Sequence, residues 1–116
     1  MTISERALGD VTVIDLGGRI TVQDGAGTFR DLMQTLVREG RTRIILNLNE
    51  VSYVDSTALG QVVRAYTGVT RKGGSLKLLN VPAKVHHLLV VTKLLSVFDL
   101  FDDEAEALRS FGAART

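Results

Sequence analysis

The chain has 116 residues, which suits one globular domain and is too short for two ordinary ones. Apolar residues make up 45% and charged residues 23%, and 14 basic against 13 acidic side chains leave a net charge of +1; that balance excludes a disordered chain and a nucleic-acid binder driven by phosphate attraction. With no cysteine there is no disulfide scaffold, thiol nucleophile or thiolate metal site, and with 5% aromatic residues and no tryptophan there is no stacking platform for single-stranded nucleic acid.

Taken in chain order, Ile3 to Leu8 is a weak strand candidate, Gly9-Asp10 a tight turn, and Val11 to Leu16 a strand ended by Gly17-Gly18. Thr28 is expected to open a helix, with Asp31 three residues on as a weak capping box. Phe29, Leu32, Met33, Leu36 and Val37 supply its buried stripe, and Gly40 closes it. Arg43 to Asn49 is a nearly continuous apolar run, as in a central strand covered on both faces. A polar loop from Glu50 to Asp55 is expected to follow.

A second helix carries Leu59, Val62, Val63, Tyr66 and Val69 on one face and stops at Gly73-Gly74. Ser75 to Val81 reads as a strand. Pro82 falls in the first turn of a third helix reaching about Lys93, where a missing N–H costs nothing. The segment Leu94 to Phe101 holds a short last strand, and Asp103 with Glu106 caps a final helix through Phe111. The order β-β-α-β-α-β-α-β-α predicts a single α/β domain over residues 1–116. Its mixed, mostly parallel sheet has 4–5 strands, with about four helices packed on it. In such sheets function gathers beyond the carboxyl ends of the strands, which singles out Gly17 to Gly27 and Glu50 to Gly60.

Enzyme signals are poor. No phosphate-cradling Gly-rich motif and no nucleophile elbow is present. The only histidines, His86 and His87, point about 100° apart on a helix and cannot share a metal as an i, i+4 pair would, so no metal site is expected. Asp102, Asp103, Glu104 and Glu106 crowd one helix start, where the helix dipole favours them. No window approaches the roughly 18 uncharged apolar residues of a membrane span. The opening MTISERALGD lacks the pattern of a signal peptide, so a cytoplasmic protein is expected.

The informative segment is Val51 to Gly60, VSYVDSTALG, joining a buried strand to an amphipathic helix. Asp55-Ser56-Thr57 falls where that helix begins. Plain capping accounts for one of these side chains at about 1 kcal/mol. Two hydroxyls and a carboxylate are more than one cap needs, and a hydroxyl at a helix N-terminus is exposed and placed to carry an anion.

The segment IILNLNEVSYVDSTALG, with its helix and the following GGSLKLLNVPAKVHHLLVVTKLLSVFDLFDDEAEAL, resembles a STAS domain and, more closely, a bacterial anti-sigma factor antagonist. Asp55, Ser56, Leu59 and Gly60 match the family's loop, and Thr92, Leu94, Phe98 and Leu100 match its later segment. The similarity extends from Val11 to Leu108. It implies a phosphorylation-switched binding module that sequesters an anti-sigma factor of the histidine-kinase-like ATPase fold and so frees a sigma factor. That partner is also the serine kinase, and a serine phosphatase reverses it. By this resemblance Ser56 is the phosphoacceptor, and Asp55, Thr57, Ala58 and Gly60 support the loop. Arg19, Thr21, Ser56 and Thr57 form the partner-binding surface. ATP and Mg²⁺ belong to the kinase, so no cofactor is expected here, and neither nucleic acid nor membrane insertion; a homodimer stays open.

Two positions depart from the family pattern. Ala58 replaces a common Gly and, as the better helix former by about 1 kcal/mol, is expected to stiffen the first turn and bring a methyl group nearer a partner. In Gly18-Arg19-Ile20-Thr21, Thr21 stands where an acidic residue is frequent. The alternative reading is a STAS scaffold subunit of another signalling or transporter-associated assembly, binding constitutively.

Overall fold

Residues 1–112 are described in a computed structural model. The chain begins with a hairpin: β1 (Thr2–Leu8) runs antiparallel to β2 (Val11–Ile20), with Leu8 opposite Val11. Gly9, at φ 64°, supplies the positive φ that the short turn requires. The strand does not stop at Gly17-Gly18, as the sequence suggested. It continues to Ile20, and the pair marks register shifts in its parallel ladder with β3 (Arg43–Val54). Gly17 is there because space is lacking: an added Cβ would lie 2.6 Å from Thr2 Oγ1 and 3.2 Å from Glu50 Cβ.

β3 is likewise longer than expected. The supposed polar loop from Glu50 is strand as far as Val54, because the extension of β2 gives it a partner, pairing Gly17 with Glu50 and Ile20 with Val54. β4 (Ser75–Leu79) pairs only with Arg43 to Asn47, so beyond that point β3 is paired on one edge; there the buried Leu48 and Val51 are interspersed with the exposed Asn49, Glu50 and Ser52. β4 ends at Leu79, two residues before the expected Val81, because Asn80, with φ 55°, breaks the strand while its N–H still donates to Phe101 O at 2.9 Å. β5 (Asp99–Phe101) completes the order β1-β2-β3-β4-β5, antiparallel at β1 and parallel elsewhere.

One face of the sheet carries α1 (Ala26–Arg38), α2 (Ser56–Arg71) and α3 (Ala83–Val91). Phe29, Met33 and Leu36 of α1, Leu59 and Val69 of α2, and Val85 and Leu89 of α3 bury against Ile14, Leu16, Ile44, Leu46 and Leu78. α4 (Glu104–Arg109) covers the other face, where Ala107 and Phe111 pack with Val11, Val13, Ile45 and Leu79. Helix ends differ from expectation by a residue or more. α1 starts at Ala26 behind Gly25 (φ 98°), so Thr28 lies inside the first turn and forms no cap. Pro82 takes the cap position just outside α3, and α3 ends at Val91. Asp103 caps α4 as expected through Glu106 N at 3.0 Å, but the helix proper ends at Arg109.

Gly40 closes α1 with φ 75°, its N–H donating to Val37 O while Arg41 N reaches back to Leu36 O. Lys93, φ 62°, does the same work for α3 without being glycine. On the α4 face Arg6 of β1 donates to both Asp15 oxygens (2.6 and 3.0 Å) and to Glu104 (2.6 Å), tying the edge strand to β2 and α4. That guanidinium, helped by Asn47, holds the Asp15 carboxyl below its usual range against the opposing effect of burial.

Candidate functional site

Because β2 and β3 are parallel neighbours, their carboxyl ends fall at one edge of the sheet and the two loops singled out from the sequence emerge side by side. Asp55 N donates to Ile20 O at 3.2 Å, extending the ladder by one bond. There the chain turns into α2, with Asp55 extended (φ −88°, ψ 175°) at the cap position. Its carboxylate serves both loops: Oδ1 accepts from Ala58 N at 2.8 Å and Oδ2 from Val22 N at 2.8 Å. These bonds, first from Ala58 and then from Val22, lower the Asp55 pKa; Thr57 N–H and the positive charge of Arg19 add to the effect, and burial opposes it.

The capping question is thereby answered for this helix. Asp55 is the cap; Ser56 and Thr57, the first two helical residues, are exposed, and their hydroxyls make no hydrogen bond among the described residues. Thr21 orders the neighbouring turn, its hydroxyl accepting from Asp24 N at 3.0 Å, so this position has a local structural job. Arg19 lies opposite Tyr53 in the ladder and stacks over its ring, 4.5 Å from the centroid. Arg19, Thr21, Ser56 and Thr57 therefore border one surface.

Ala58 corrects an expectation. Its side chain is 1% exposed and points into the core, so the methyl group does not approach a partner; its contribution outward is the N–H held by Asp55. Gly60 is exposed, and a Cβ there would meet nothing within 4 Å. It lies one turn after Ser56, on the same side of α2.

Three features were not singled out from the sequence. Val22, 62% exposed, sits at the tip of the β2–α1 loop beside Asp55. Tyr53 stands before the loop with its ring half-exposed. A cavity of about 500 Å³ opens beside the acceptor candidate, lined by Tyr53, Asp55, Ser56, Lys84, His87 and Leu88. The available signal was weak: a valine and a tyrosine among polar neighbours, and a lysine and a histidine on a helix distant in sequence. His86 and His87 are both exposed on α3. Among the described residues no three His, Cys, Asp or Glu side chains gather as a metal site, and no helix is long and apolar enough to cross a membrane.

The sequence profile of the STAS domain family matches residues 2–107. The anti-sigma-B factor antagonist of Bacillus subtilis (strain 168) is 34% identical over 87 residues, covering 75% of this chain and 78% of that protein. The anti-sigma F factor antagonist of Paenibacillus polymyxa is 26% identical over 98 residues, 84% of each chain. Among solved structures, the Bacillus cell fate determinant SpoIIAA in its phosphorylated form superposes with a TM-score of 0.77 at 22% identity, covering 94% of this chain and 98% of that one.

Proposed function

This chain belongs to the STAS domain family, and on that premise we propose that it is an anti-sigma factor antagonist switched by phosphorylation of Ser56. One observation carries the assignment of the acceptor: Asp55 already caps α2, so the exposed Ser56 hydroxyl is left without a structural task at the meeting point of two loops. Unphosphorylated, the single domain presents Ser56 with Arg19, Thr21 and Thr57 and sequesters an anti-sigma factor of the histidine-kinase-like ATPase fold, freeing a sigma factor in the cytoplasm. That partner transfers the γ-phosphoryl group of ATP to the Ser56 oxygen, and a serine phosphatase removes it. Nucleotide and Mg²⁺ stay with the kinase, and the antagonist itself catalyses nothing. Relatives named as antagonists of anti-sigma factors support the partner class, and a fold neighbour solved in a phosphorylated form supports the switch.

Incubation with its anti-sigma factor kinase and ATP is expected to add one phosphate, located at Ser56 by peptide mass mapping. Modification at Thr57 alone, or at Ser52 or Ser75, overturns the assignment. Ser56→Ala is expected to cost no more than about 0.5 kcal/mol, as for an ordinary surface position, and to bind the partner permanently. Full binding of wild-type protein with no phosphate ever added would favour a constitutive scaffold instead.

A further inference from the structure

The flanks of α1 and α2 form a second surface, away from the N-terminus of α2. A groove of about 580 Å³ runs between the two helices. Met33, Val37 and Ala65 contribute its apolar lining, and four exposed arginines border it: Arg30 and Arg38 from α1, Arg64 and Arg71 from α2. No acidic side chain lines it. Among the described residues Arg30 has only its chain neighbour Asp31, at 3.1 Å, and Arg38 only the Thr35 hydroxyl, at 3.2 Å; Arg64 and Arg71 face no carboxylate within ion-pair distance. In a chain of net charge +1, this gathers like charges along one apolar trough, an arrangement that repels itself until something acidic covers it. Gln61 also lines the groove, and its Oε1 is buried without a partner among the described residues.

We propose that this groove docks an acidic amphipathic helix of a partner protein. Two packed helices leave a trough that a third helix fills ridge into groove, with apolar residues at i, i+3, i+4 and i+7 turned inward. Arg64 and Arg71 are seven residues apart, which is roughly 10.5 Å along α2, and Arg30 and Arg38 are roughly 12 Å apart along α1. Carboxylates spaced by about two turns along both edges of the incoming helix therefore meet all four guanidiniums. Gly68 marks where the visitor comes closest. Its missing side chain leaves the trough open, since a Cβ there would touch only Val37, at an ordinary 3.9 Å. This surface is independent of Ser56, so its occupancy does not depend on the phosphorylation reading.

The probe is a synthetic helix of two heptads, Leu at the inward positions and Glu on both flanks, with a counterpart carrying Lys for every Glu. Both are titrated into the full chain by backbone NMR, and vesicles of phosphatidylglycerol are tested alongside. The acidic peptide is expected to shift amides of α1 and α2 around Gly68, with affinity falling as salt is raised. Combined Arg64→Glu and Arg71→Glu should weaken it at least about tenfold, and Gly68→Leu should remove saturable binding while thermal unfolding stays cooperative. Equal binding of the Lys peptide, shifts centred on Ser56, or no shift up to about millimolar peptide overturns the proposal. Saturable vesicle binding that the acidic peptide does not displace also overturns it, in favour of a lipid surface.

Discussion

Asp55 holds two segments with one carboxylate, and its two oxygens are not equivalent in what they fix. Oδ1 caps α2 through Ala58 N, while Oδ2 ties down the β2–α1 loop through Val22 N. Asn is as good a cap as Asp, so Asp55→Asn should keep the Ala58 bond, but its NH₂ then confronts the Val22 N–H, donor against donor. Hydrogen exchange is expected to speed up at Val22 by up to about tenfold, with Ala58 still protected; unchanged protection at both amides would show that the shared carboxylate does not hold the loop. The pH dependence follows from the lowered pKa of this group. Its contribution is fully present above the unfolded carboxyl value of about 3.9 and is lost as pH falls through the lower folded value. The Val22 and Ala58 amide shifts should therefore titrate together with a midpoint below about 3.9.

At the scale of elements, α2 contains a glycine near its start, Gly60, that its own chain does not require. Glycine in a helix interior costs about 0.5–1 kcal/mol relative to alanine, yet the space around Gly60 is empty. Gly60→Ala should raise the melting temperature by roughly 3–5 °C. It also sets a methyl group one turn from Ser56, so partner affinity should fall although the fold gains stability. A parallel gain in both would remove any reason of recognition for the glycine. The order of elements was legible because α1 and α2 carry apolar stripes, the central strand is an apolar run, and Pro82 and Asp103 mark the starts of α3 and α4. The carboxyl-terminal halves of β2 and β3 were not: Gly17-Gly18 resembles a stop, and Glu50 to Asp55 resembles a loop, until each is seen to be the other's partner. Pairing across more than thirty residues leaves no local trace. The same limit applied at the site. The Asp55-Ser56-Thr57 cluster stood out, but which side chain caps depends on backbone dihedrals, and the proximity of Val22 and His87 depends on topology.

For the molecule as a whole, the question is how far a phosphate on Ser56 makes itself felt. The Ala58 N–H, and to a lesser degree that of Thr57, is already engaged by Asp55 at the start of α2, so a phosphate shares that helix end with a carboxylate. Its charge of about −1.5 to −2 is placed beside a carboxylate, offset by Arg19 next to the loop and by Lys84 across the adjoining cavity. Beneath that surface Ala58, Leu59, Ala65 and Val69 are buried in the core, and the loop is pinned by the last pairs of the β2–β3 ladder. A packed core does not deform continuously, so the change should remain at the surface. Backbone NMR shifts are expected to differ between the two forms in residues 19–25, in 53–60 and in the first turn of α3, and to coincide in β1, β4 and α4. Burying a dianion at an interface where the partner supplies no counter-charge costs several kcal/mol, and at about 1.4 kcal/mol per decade the affinity should drop about a hundredfold or more. Ser56→Asp should reproduce only part of that loss, having less charge and fewer acceptor oxygens. Shift changes running through β4 or α4, or equal affinity of the two forms, would mean that the switch works by rearranging the sheet or that Ser56 lies outside the interface.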